Sequence, residues 1–228
     1  MNLLAIDTST DSCSVAASRG DTLFSRSEPA LQRQAEKILG MVEDLLAEAR
    51  LELGQIEGIA YGEGPGSFTG LRIAAGVTQG LAFARGLGVV GVSSLLAMVE
   101  QAAEEEAGEK FVACIDAHMG EVYHAAYRKA GSGWTQVSAP CLYKPEDVPV
   151  PSGGDWIGCG DAFAAHRDRL ASRLGDCVSM IRSDAAPNAR AVLRLAIPRF
   201  AAGEAKDAAT AVPVYLRDKV AKKTRERE

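Results

Sequence analysis

Short apolar runs separated by polar turns open the chain. LLAI at 3–6, CSVAAS at 13–18 and TLFS at 22–25 each have the length of one strand, and Asp, Ser, Thr and Gly fill the turns between them. This pattern predicts a three-strand β-meander. Between Gln34 and Arg50 the apolar residues recur instead at the spacing of one helix face, which predicts an amphipathic helix.

The rest of the first half alternates strands with helices. IEGIAY at 56–61 has the composition of a buried strand, and the glycine-rich loop GEGPGSFTG at 62–70 follows it. The Ala- and Gly-rich run after the loop predicts a helix over 69–85. VVGV at 89–92 predicts one more strand, and SSLLAMVEQAAEEEA at 93–107 predicts one more helix.

The opening pattern recurs in the second half of the chain. LAIDTSTDSCSVAA at 4–17 and ACIDAHMGEVYHAA at 113–126 align without a gap, each with an Ile-Asp pair, a polar turn and a second apolar run. A charged stretch at 104–110 predicts a boundary between an N-terminal actin-like lobe, 1–107, and a C-terminal lobe with a basic tail, 108–228. We therefore predict an α/β, two-lobed, actin-like (ASKHA, RNase H-like) fold with a mixed β-sheet and flanking helices in each lobe.

One more helix is predicted close to the C-terminus. In SDAAPNARAVLRLAIPRFAAG at 183–203, Asn188 or Asp184 is a candidate N-cap, and Pro187 lies near the helix start. Gly203 lies just past the expected end of this helix, where glycine is the commonest residue.

The glycine-rich loop resembles a phosphate-binding loop only in composition. It does not match GxxxxGK[ST], because no lysine follows the last glycine to reach the β- and γ-phosphates, and it is not GxGxxG. Anion binding by the backbone amides at the start of the next helix stays open as an alternative. We favour a structural role, in which Pro65 and Gly66 make a tight turn and Ser67 or Thr69 caps that helix.

The helix predicted over 69–85 is apolar or small on most of its sides. Such a helix is buried on most sides, so it needs a second neighbour besides its own sheet. Either the helix at 34–50 supplies that neighbour within the chain, or both helices together form a subunit interface. The residues of the predicted partner interface are Ile38, Leu39, Val42, Leu45, Leu46, Ile73, Gly76, Val77, Gly80 and Ala84.

Two turns occupy the positions at which two-lobed ATPases bind phosphate. Each ATPase lobe supplies an Asp-x-Gly turn, but here the turns are Asp7-Thr8-Ser9 and Asp116-Ala117-His118, so both glycine positions carry side chains. Asp7 and Asp116 could still hold Mg²⁺ through water, but we interpret them as turn residues at strand ends. The three histidines lack HxxxH or HExxH spacing, and no GxSxG elbow is present.

Composition narrows the function classes. The 228-residue chain has a net charge of −5, which argues against a generic nucleic-acid-binding body. Its five scattered cysteines show no CxxC spacing, which argues for reduced thiols and against a disulfide frame or a zinc site. The N-terminus lacks the features of a signal peptide, and no apolar run approaches the length of a membrane span. We therefore expect a soluble, cytoplasmic protein with no membrane partner.

Four segments together resemble the bacterial TsaB (YeaZ) family: LLAIDTST, GEGPGSFTGLR, IDAHMGEVY and PVYLRDKVAKK. They lie at both ends and in the middle, so the resemblance covers nearly the whole chain. The chain departs from the family pattern at Gln34, Gly40, Glu63 and His118. The residues that carry the family motifs are Asp7, Gly64, Pro65, Gly66, Ser67, Phe68, Thr69, Gly70, Arg72, Asp116, Gly120 and Glu121.

The resemblance implies a non-catalytic scaffold subunit in the synthesis of N6-threonylcarbamoyladenosine at the tRNA adenosine that follows the anticodon. It implies binding to the catalytic homologue TsaD, with the small ATPase TsaE as a further partner and tRNA reached through the complex. Where TsaD carries a metal-binding HxxxH, this chain has SSLLA at 93–97, so no metal and no catalytic residue are expected. No cofactor is expected either. A nucleotide between the lobes and a homodimer of the isolated chain stay open.

Two other classes of protein remain as alternatives. An actin-fold ATPase or kinase, or a peptidase-like enzyme, would need the phosphate glycines or metal histidines that the sequence lacks. A stand-alone RNA-binding module conflicts with the negative charge and the few aromatic residues. The tail at 217–228 holds six basic and three acidic residues, and we interpret it as a solvated terminus. Its functional alternative is contact with tRNA phosphates through Lys219, Lys222, Lys223 and Arg225.

Overall fold

Two five-stranded mixed sheets, one in each lobe, form the centre of the molecule. The structure is a computed structural model and describes residues 1–30 and 33–217. The strands of the first sheet are β1 (Leu3–Asp7), β2 (Ser12–Arg19), β3 (Thr22–Pro29), β4 (Gly58–Gly64) and β5 (Gly88–Ser93). Those of the second are β6 (Lys110–Asp116), β7 (Val122–Ala130), β8 (Gly133–Tyr143), β9 (Trp156–Cys159) and β10 (Val178–Arg182). The helices are α1 (Gln34–Ala49), α2 (Phe68–Arg85), α3 (Ser94–Glu105), α4 (Ala162–Ala165), α5 (Arg167–Leu174) and α6 (Ala189–Ala201).

The two sheets share one topology. Their strand orders are β3-β2-β1-β4-β5 and β8-β7-β6-β9-β10. In each sheet the first three strands form an antiparallel meander, and the remaining two strands are added in parallel beside the first. This duplication confirms both predicted meanders and the predicted two-lobed, actin-like fold with a mixed sheet in each lobe.

Helix ends follow local sequence signals. The side-chain oxygen of Asn188 accepts the N–H of Ala191 at 2.9 Å, so Asn188 is the N-cap of α6 as predicted. Asp184, the other candidate, instead pairs with Arg182. Gly203 has a positive φ of 74° just beyond α6, a conformation that favours glycine.

Helices cover both faces of each sheet. On the first sheet, α1 and α2 pack on the outer face and α6 packs on the face toward the other lobe. On the second sheet, α3 packs on the inner face, while α4 and α5 pack on the outer one. The central strands are buried on both sides, so each sheet needs cover on both sides.

The inner helices are exchanged between the lobes. α3 follows the first sheet in sequence but packs on the second, and α6 follows the second sheet but packs on the first. The predicted boundary at 107/108 separates the strands of the two sheets, but the prediction of two contiguous lobes needs correction at these two helices. The physical reason is that the inner face of the first sheet is covered by α6, which comes late in the chain.

Polar side chains join α3 to α6 where the lobes meet. Arg194 of α6 pairs with Glu100 of α3 at 2.9 Å and also with Glu104. The Asn188 amide donates to Gln101 at 2.6 Å. Because Glu100 is largely buried, this contact is less screened by water than a surface ion pair.

No helix within residues 1–30 and 33–217 is long and apolar enough to cross a membrane. All five cysteines lie in this part of the chain and are free thiols. Cys13, Cys114 and Cys159 are buried, where they pack as small apolar side chains.

Candidate functional site

The glycine-rich loop packs directly on the turn between β1 and β2. The Ser67 N–H donates to the carbonyl oxygen of Ser9 at 2.8 Å, and the Thr8 hydroxyl donates to the carbonyl oxygen of Gly70 at 2.7 Å. A methyl group on Gly66 would overlap the carbonyl oxygen of Ser9, and one on Gly70 would overlap that of Thr8. These glycines therefore allow two backbones to approach closely.

Ser67 caps α2. Its hydroxyl oxygen accepts the N–H of Gly70 at 3.3 Å, so this amide is engaged within the helix start. The structural role predicted for the loop is thus the one that the geometry supports, with Ser67 rather than Thr69 as the cap. Gly64, with a φ of 115°, lies where an added Cβ would be 2.8 Å from the carbonyl oxygen of Val214.

Asp7 is a buried carboxyl group at the end of β1. Burial raises its pKa to about 6, although the N–H and the hydroxyl of Ser9 donate to it and favour the charged form. Gly62 on the neighbouring strand leaves room for this carboxyl, because a Cβ there would overlap it. The interpretation of Asp7 as a strand-end turn residue agrees with these contacts.

The second turn, residues 117–121, has a left-handed backbone. His118, Met119 and Gly120 have φ values of 58°, 56° and 79°. The carboxyl of Asp116, just before the turn, accepts the His118 N–H at 3.0 Å and lies 3.0 Å from Nε2 of His166. Partial burial alone would raise the pKa of Asp116, but these histidine contacts hold it below its usual value.

Arg217 joins this turn from the far end of the described chain. Its guanidinium donates to the carbonyl oxygens of Ala117 at 2.9 Å and His118 at 3.3 Å, and it pairs with Glu121 at 2.8 Å. The side chain is only 12% exposed. The interpretation of 217–228 as a solvated tail is therefore corrected for Arg217, while Lys219, Lys222, Lys223 and Arg225 lie outside the described residues.

An interlobe cleft of about 400 Å³ opens between the glycine-rich loop and the turn 117–121. Three carboxyl groups line it, those of Asp11, Asp116 and Asp161, together with Arg217. Burial raises the pKa of Asp161, and the Asp116 N–H donates to its carboxyl at 2.8 Å. Three acidic groups against one arginine make the cleft a poor environment for a polyphosphate.

A further glycine pair beside the cleft also serves packing. The ring of Phe163 fills the space over Gly158, and a Cβ at Gly160 would overlap the carbonyl oxygen of Cys114 and crowd Met98. Gly160 has a φ of 112°, which only glycine adopts readily.

The predicted interface residues divide into core and surface. On α1, Ile38, Val42, Leu45 and Leu46 are buried in the core of the first lobe, so their predicted contact with a partner needs correction. Their apolar stripe is explained by the first sheet and α2. Leu39, in contrast, is 51% exposed.

On α2 the small residues form the surface. Gly76, Gly80 and Ala84 are exposed, whereas Ile73 and Val77 are partly buried against the core of the lobe. The Phe83 side chain stands beside the small residues and is 85% exposed. Gly76, Gly80 and Phe83 line a groove of about 430 Å³ whose other wall includes Ala208 and Ala209.

An aromatic and arginine cluster continues this surface at the start of α2. The guanidinium of Arg72 lies 3.8 Å from the centre of the Phe68 ring and donates to the hydroxyl of Tyr215 at 2.9 Å. The rings of Phe68 and Tyr215 are 5.5 Å apart. Sequence reasoning missed Phe83 and Tyr215, and the one signal for Tyr215 was its place in the motif PVYLRDKVAKK.

The four departures from the family pattern have different environments. Gln34 is buried and donates to the carbonyl oxygen of Thr10 at 3.2 Å, whereas Gly40 and His118 are exposed. Burial raises the pKa of Glu63, and the charges of Arg199 and Lys206 oppose that rise.

The duplicated meander, the exchanged inner helices and the interlobe cleft define a two-lobed α/β protein of the actin-like, RNase H-like class. Residues 28–224 match the sequence family described as "TsaD: tRNA N6-adenosine threonylcarbamoyltransferase". The chain is 37% identical to the tRNA threonylcarbamoyladenosine biosynthesis protein TsaB of Escherichia coli (strain K12), over 97% of this chain and 96% of that protein. It is 35% identical to TsaB of Haemophilus influenzae, over 96% of this chain and 95% of that protein.

Solved structures agree with these sequence relatives. YeaZ from Pseudomonas aeruginosa is 38% identical, with a TM-score of 0.88 over 94% of this chain and 99% of that one. Another Pseudomonas aeruginosa structure, described as an uncharacterized protein with similarity to peptidase YeaZ, is also 38% identical. Its TM-score is 0.89 over 95% of this chain and 99% of that one. The chain belongs to the TsaB (YeaZ) family, which confirms the resemblance.

Proposed function

We propose that the chain is a non-catalytic subunit in the biosynthesis of threonylcarbamoyladenosine in tRNA, and that it acts by binding a TsaD-type catalytic homologue. The Escherichia coli and Haemophilus influenzae relatives are named for this biosynthesis, and the family that spans residues 28–224 is described as the threonylcarbamoyltransferase. In this proposal a TsaE-type ATPase joins the complex in the cytoplasm. The tRNA contacts the assembled complex.

The outer face of α2 carries this proposal. Phe83 exposes most of its ring beside Gly76 and Gly80, which present only backbone. A large exposed apolar ring next to a flat strip of small residues is typical of a protein–protein contact, because burying the ring removes apolar surface from water. Small residues let a helix of a partner approach closely.

The proposed partner surface is a revision of the one predicted from sequence. It keeps the exposed residues, drops the buried residues of α1 and adds the aromatic cluster at the start of α2. Arg and aromatic side chains often supply much of the energy of such contacts. The surface comprises Leu39, Phe68, Arg72, Gly76, Gly80, Phe83, Ala84 and Tyr215.

The cleft geometry supports a scaffold over an actin-fold ATPase or kinase. His118 takes the position of a phosphate-binding glycine, and the glycines at 66 and 70 lie against the β1–β2 turn. The peptidase-like alternative rests on the 3.0 Å contact between His166 and Asp116, which resembles the base and orienting carboxylate of a hydrolase. We expect the purified chain alone to hydrolyse neither ATP nor peptides and to leave tRNA unmodified. Robust turnover that Asp7→Ala or His166→Ala abolishes would favour an enzyme.

Enlarging a small residue on α2 tests the partner surface directly. An added Cβ at Gly80 meets nothing within 4 Å, so the position is open in the isolated chain, and we expect Gly80→Leu to fold and to place its added bulk in the way of an approaching partner. We expect Gly80→Leu to weaken binding to the TsaD-type homologue of the same organism at least about tenfold, measured by gel filtration and calorimetry.

The matched control is Ala171→Leu, which adds the same bulk to an exposed position of α5 in the other lobe. It should bind like the unmodified chain. Equal binding by a folded Gly80→Leu variant would exclude the α2 face as the partner surface.

A further inference from the structure

The segment 211–217, here named the C-terminal strap, is anchored first on the N-terminal lobe. The N–H of Val214 donates to the carbonyl oxygen of Glu63 at 2.7 Å. The hydroxyl of Tyr61 donates to the carbonyl oxygen of Val212 at 3.2 Å. The Glu63 carbonyl and the Tyr61 hydroxyl both belong to β4, the strand that leads into the glycine-rich loop. The strap therefore runs along the edge of that loop.

Tyr215 fastens the strap to the exposed end of α2. Its hydroxyl accepts the Nε–H of Arg72 at 2.9 Å, and its ring lies 5.5 Å from that of Phe68. Tyr215 is 44% exposed, so this side chain of the strap also forms part of the surface of the N-terminal lobe.

Arg217, two residues further on, is bound to the opposite lobe. Besides the carbonyl oxygens of Ala117 and His118 and the carboxylate of Glu121, it lies 2.9 Å from the sulfur of Met119. One nearly buried side chain thus contacts four of the five residues in the turn 117–121.

The turn also has contacts of its own, since the Asp116 carboxyl accepts the His118 N–H at 3.0 Å and lies 3.2 Å from Nδ1 of His118. Within it, the Ala117 N–H donates to Glu121 at 3.0 Å and the Glu121 N–H donates to His118 at 3.1 Å. His118 and Met119 both occupy the left-handed region, which is unfavourable for residues with a side chain. Such a conformation persists only when surrounding contacts maintain it, and Arg217 provides those that reach the turn from the strap.

We propose that the C-terminal strap is a clasp that links the two lobes, in which Arg217 positions the turn at the mouth of the interlobe cleft. Tyr215 couples the clasp to the exposed start of α2. A change at the α2 surface that displaces Tyr215 therefore loosens a turn in the other lobe, with which Tyr215 itself shares no hydrogen bond. This coupling is a property of the chain alone and does not depend on the proposed partner.

Hydrogen exchange in the isolated full-length chain tests the clasp. In Arg217→Ala we expect the amides of Ala117 and Glu121 to exchange at least about tenfold faster, because their turn loses its charged hydrogen bonds. The control is Arg173→Ala, which removes an arginine that donates to the carbonyl oxygen of Val148 within the C-terminal lobe. It should leave both amides unchanged. Unchanged exchange in Arg217→Ala would overturn the clasp.

A conservative variant covers the case in which Arg217→Ala destabilises the whole chain. Arg217→Lys keeps the charge beside Glu121 but cannot serve several acceptors with one planar group. We expect its faster exchange to be confined to the turn 117–121. A rise spread evenly over both sheets, or no rise, would overturn the positioning role of Arg217.

Tyr215→Ala tests the coupling across the lobes. We expect it to speed exchange at Ala117 and Glu121 by at least about threefold, because the strap loses its hold on α2. Phe83→Ala is the matched control, since it removes an exposed aromatic ring from α2 without an aromatic contact to Tyr215. If Tyr215→Ala leaves the turn as protected as Phe83→Ala does, the coupling is wrong.

Discussion

The hydroxyl of Thr8 donates a hydrogen bond to the carbonyl oxygen of Gly70, 2.7 Å away, where the β1–β2 turn meets the start of α2. The carbonyl oxygen of Thr8 occupies the space that a Cβ at position 70 would need, which explains why this position is a glycine. The glycine-rich loop is therefore shaped by the contact between two backbones. A phosphate-binding loop has similar composition for a different reason, since its glycines leave room for a ligand.

Two glycines of α2 should respond oppositely to the same substitution. Gly70→Ala places a methyl group against the Thr8 carbonyl, so we expect a loss of about 1–3 kcal/mol in the free energy of unfolding. Gly80→Ala adds a methyl group in open space within a helix, and we expect a gain of about 0.5–1 kcal/mol. Urea denaturation of the two variants measures both changes. Equal effects would show that close packing does not explain the glycine at position 70.

The fold was predictable where local sequence signals decide the element. Both meanders, α2 and the Asn188 cap of α6 follow from apolar spacing, turn residues and capping side chains. The exchange of α3 and α6 was not predictable in this way, because an apolar stripe shows that a helix is covered without showing which sheet covers it.

The candidate site was less predictable than the fold. The stripe of α1 was assigned to a partner, but its own lobe buries Val42 and its neighbours. Arg217 stands in a charged run at the chain end, where side chains are usually solvated, and only its long-range contacts with the turn 117–121 reveal its role.

Leu39 and Val42 of α1 should separate binding from folding. Val42→Glu places a carboxylate in the lobe core without a partner, and we expect it to cost about 3–5 kcal/mol of stability. Leu39→Glu adds the same charge to an exposed position of the same helix, so the free energy of unfolding should change by less than about 0.5 kcal/mol. Thermal unfolding measures the two changes in stability. Binding of the folded Leu39→Glu variant to the TsaD-type homologue measures the effect on the proposed partner surface. A stable Val42→Glu variant would contradict the core position of Val42.

Replacing Asp7 by Asn should stabilise the chain at alkaline pH. The folded-state pKa of about 6 lies above the ordinary value of 3.8, so the stability that this carboxyl contributes is present at low pH and is lost as the pH rises through 6. Asn stays neutral and keeps an oxygen that accepts from Ser9. Asp7→Asn should therefore gain up to about 3 kcal/mol over the unmodified chain at pH 8, with little difference at pH 4.

Urea denaturation at a series of pH values between 4 and 8 gives this difference. Ser9→Ala is a useful control, because it removes a donor that favours the charged carboxyl. It should enlarge the alkaline loss of stability. A variant Asp7→Asn that is less stable than the unmodified chain at pH 8 would mean that the Asp7 carboxylate is well compensated in the folded state.

His124 should have the opposite pH dependence. It is buried in β7 against the edge of the Tyr143 ring, and neither ring nitrogen has a hydrogen-bond partner among the residues that the structure describes. Burial lowers the pKa of His124 from 6.5 to about 4. Between these pH values the unfolded chain binds a proton at His124 and the folded chain does not, so stability is lost as the pH falls from about 6.5 through 4. The loss reaches about 3 kcal/mol at pH 4.

The His124 effect is best measured in the Asp7→Asn background, because Asp7 titrates in the same range with the opposite sign. There, His124→Leu should abolish most of the acid-induced loss while leaving stability at pH 8 nearly unchanged, since an unpaired imidazole is replaced by an apolar group of similar size. His118→Asn serves as the control, because His118 is exposed and Asn tolerates its left-handed backbone. If acid still destabilises the His124→Leu variant by the full amount, the buried imidazole is not the group that limits stability at low pH.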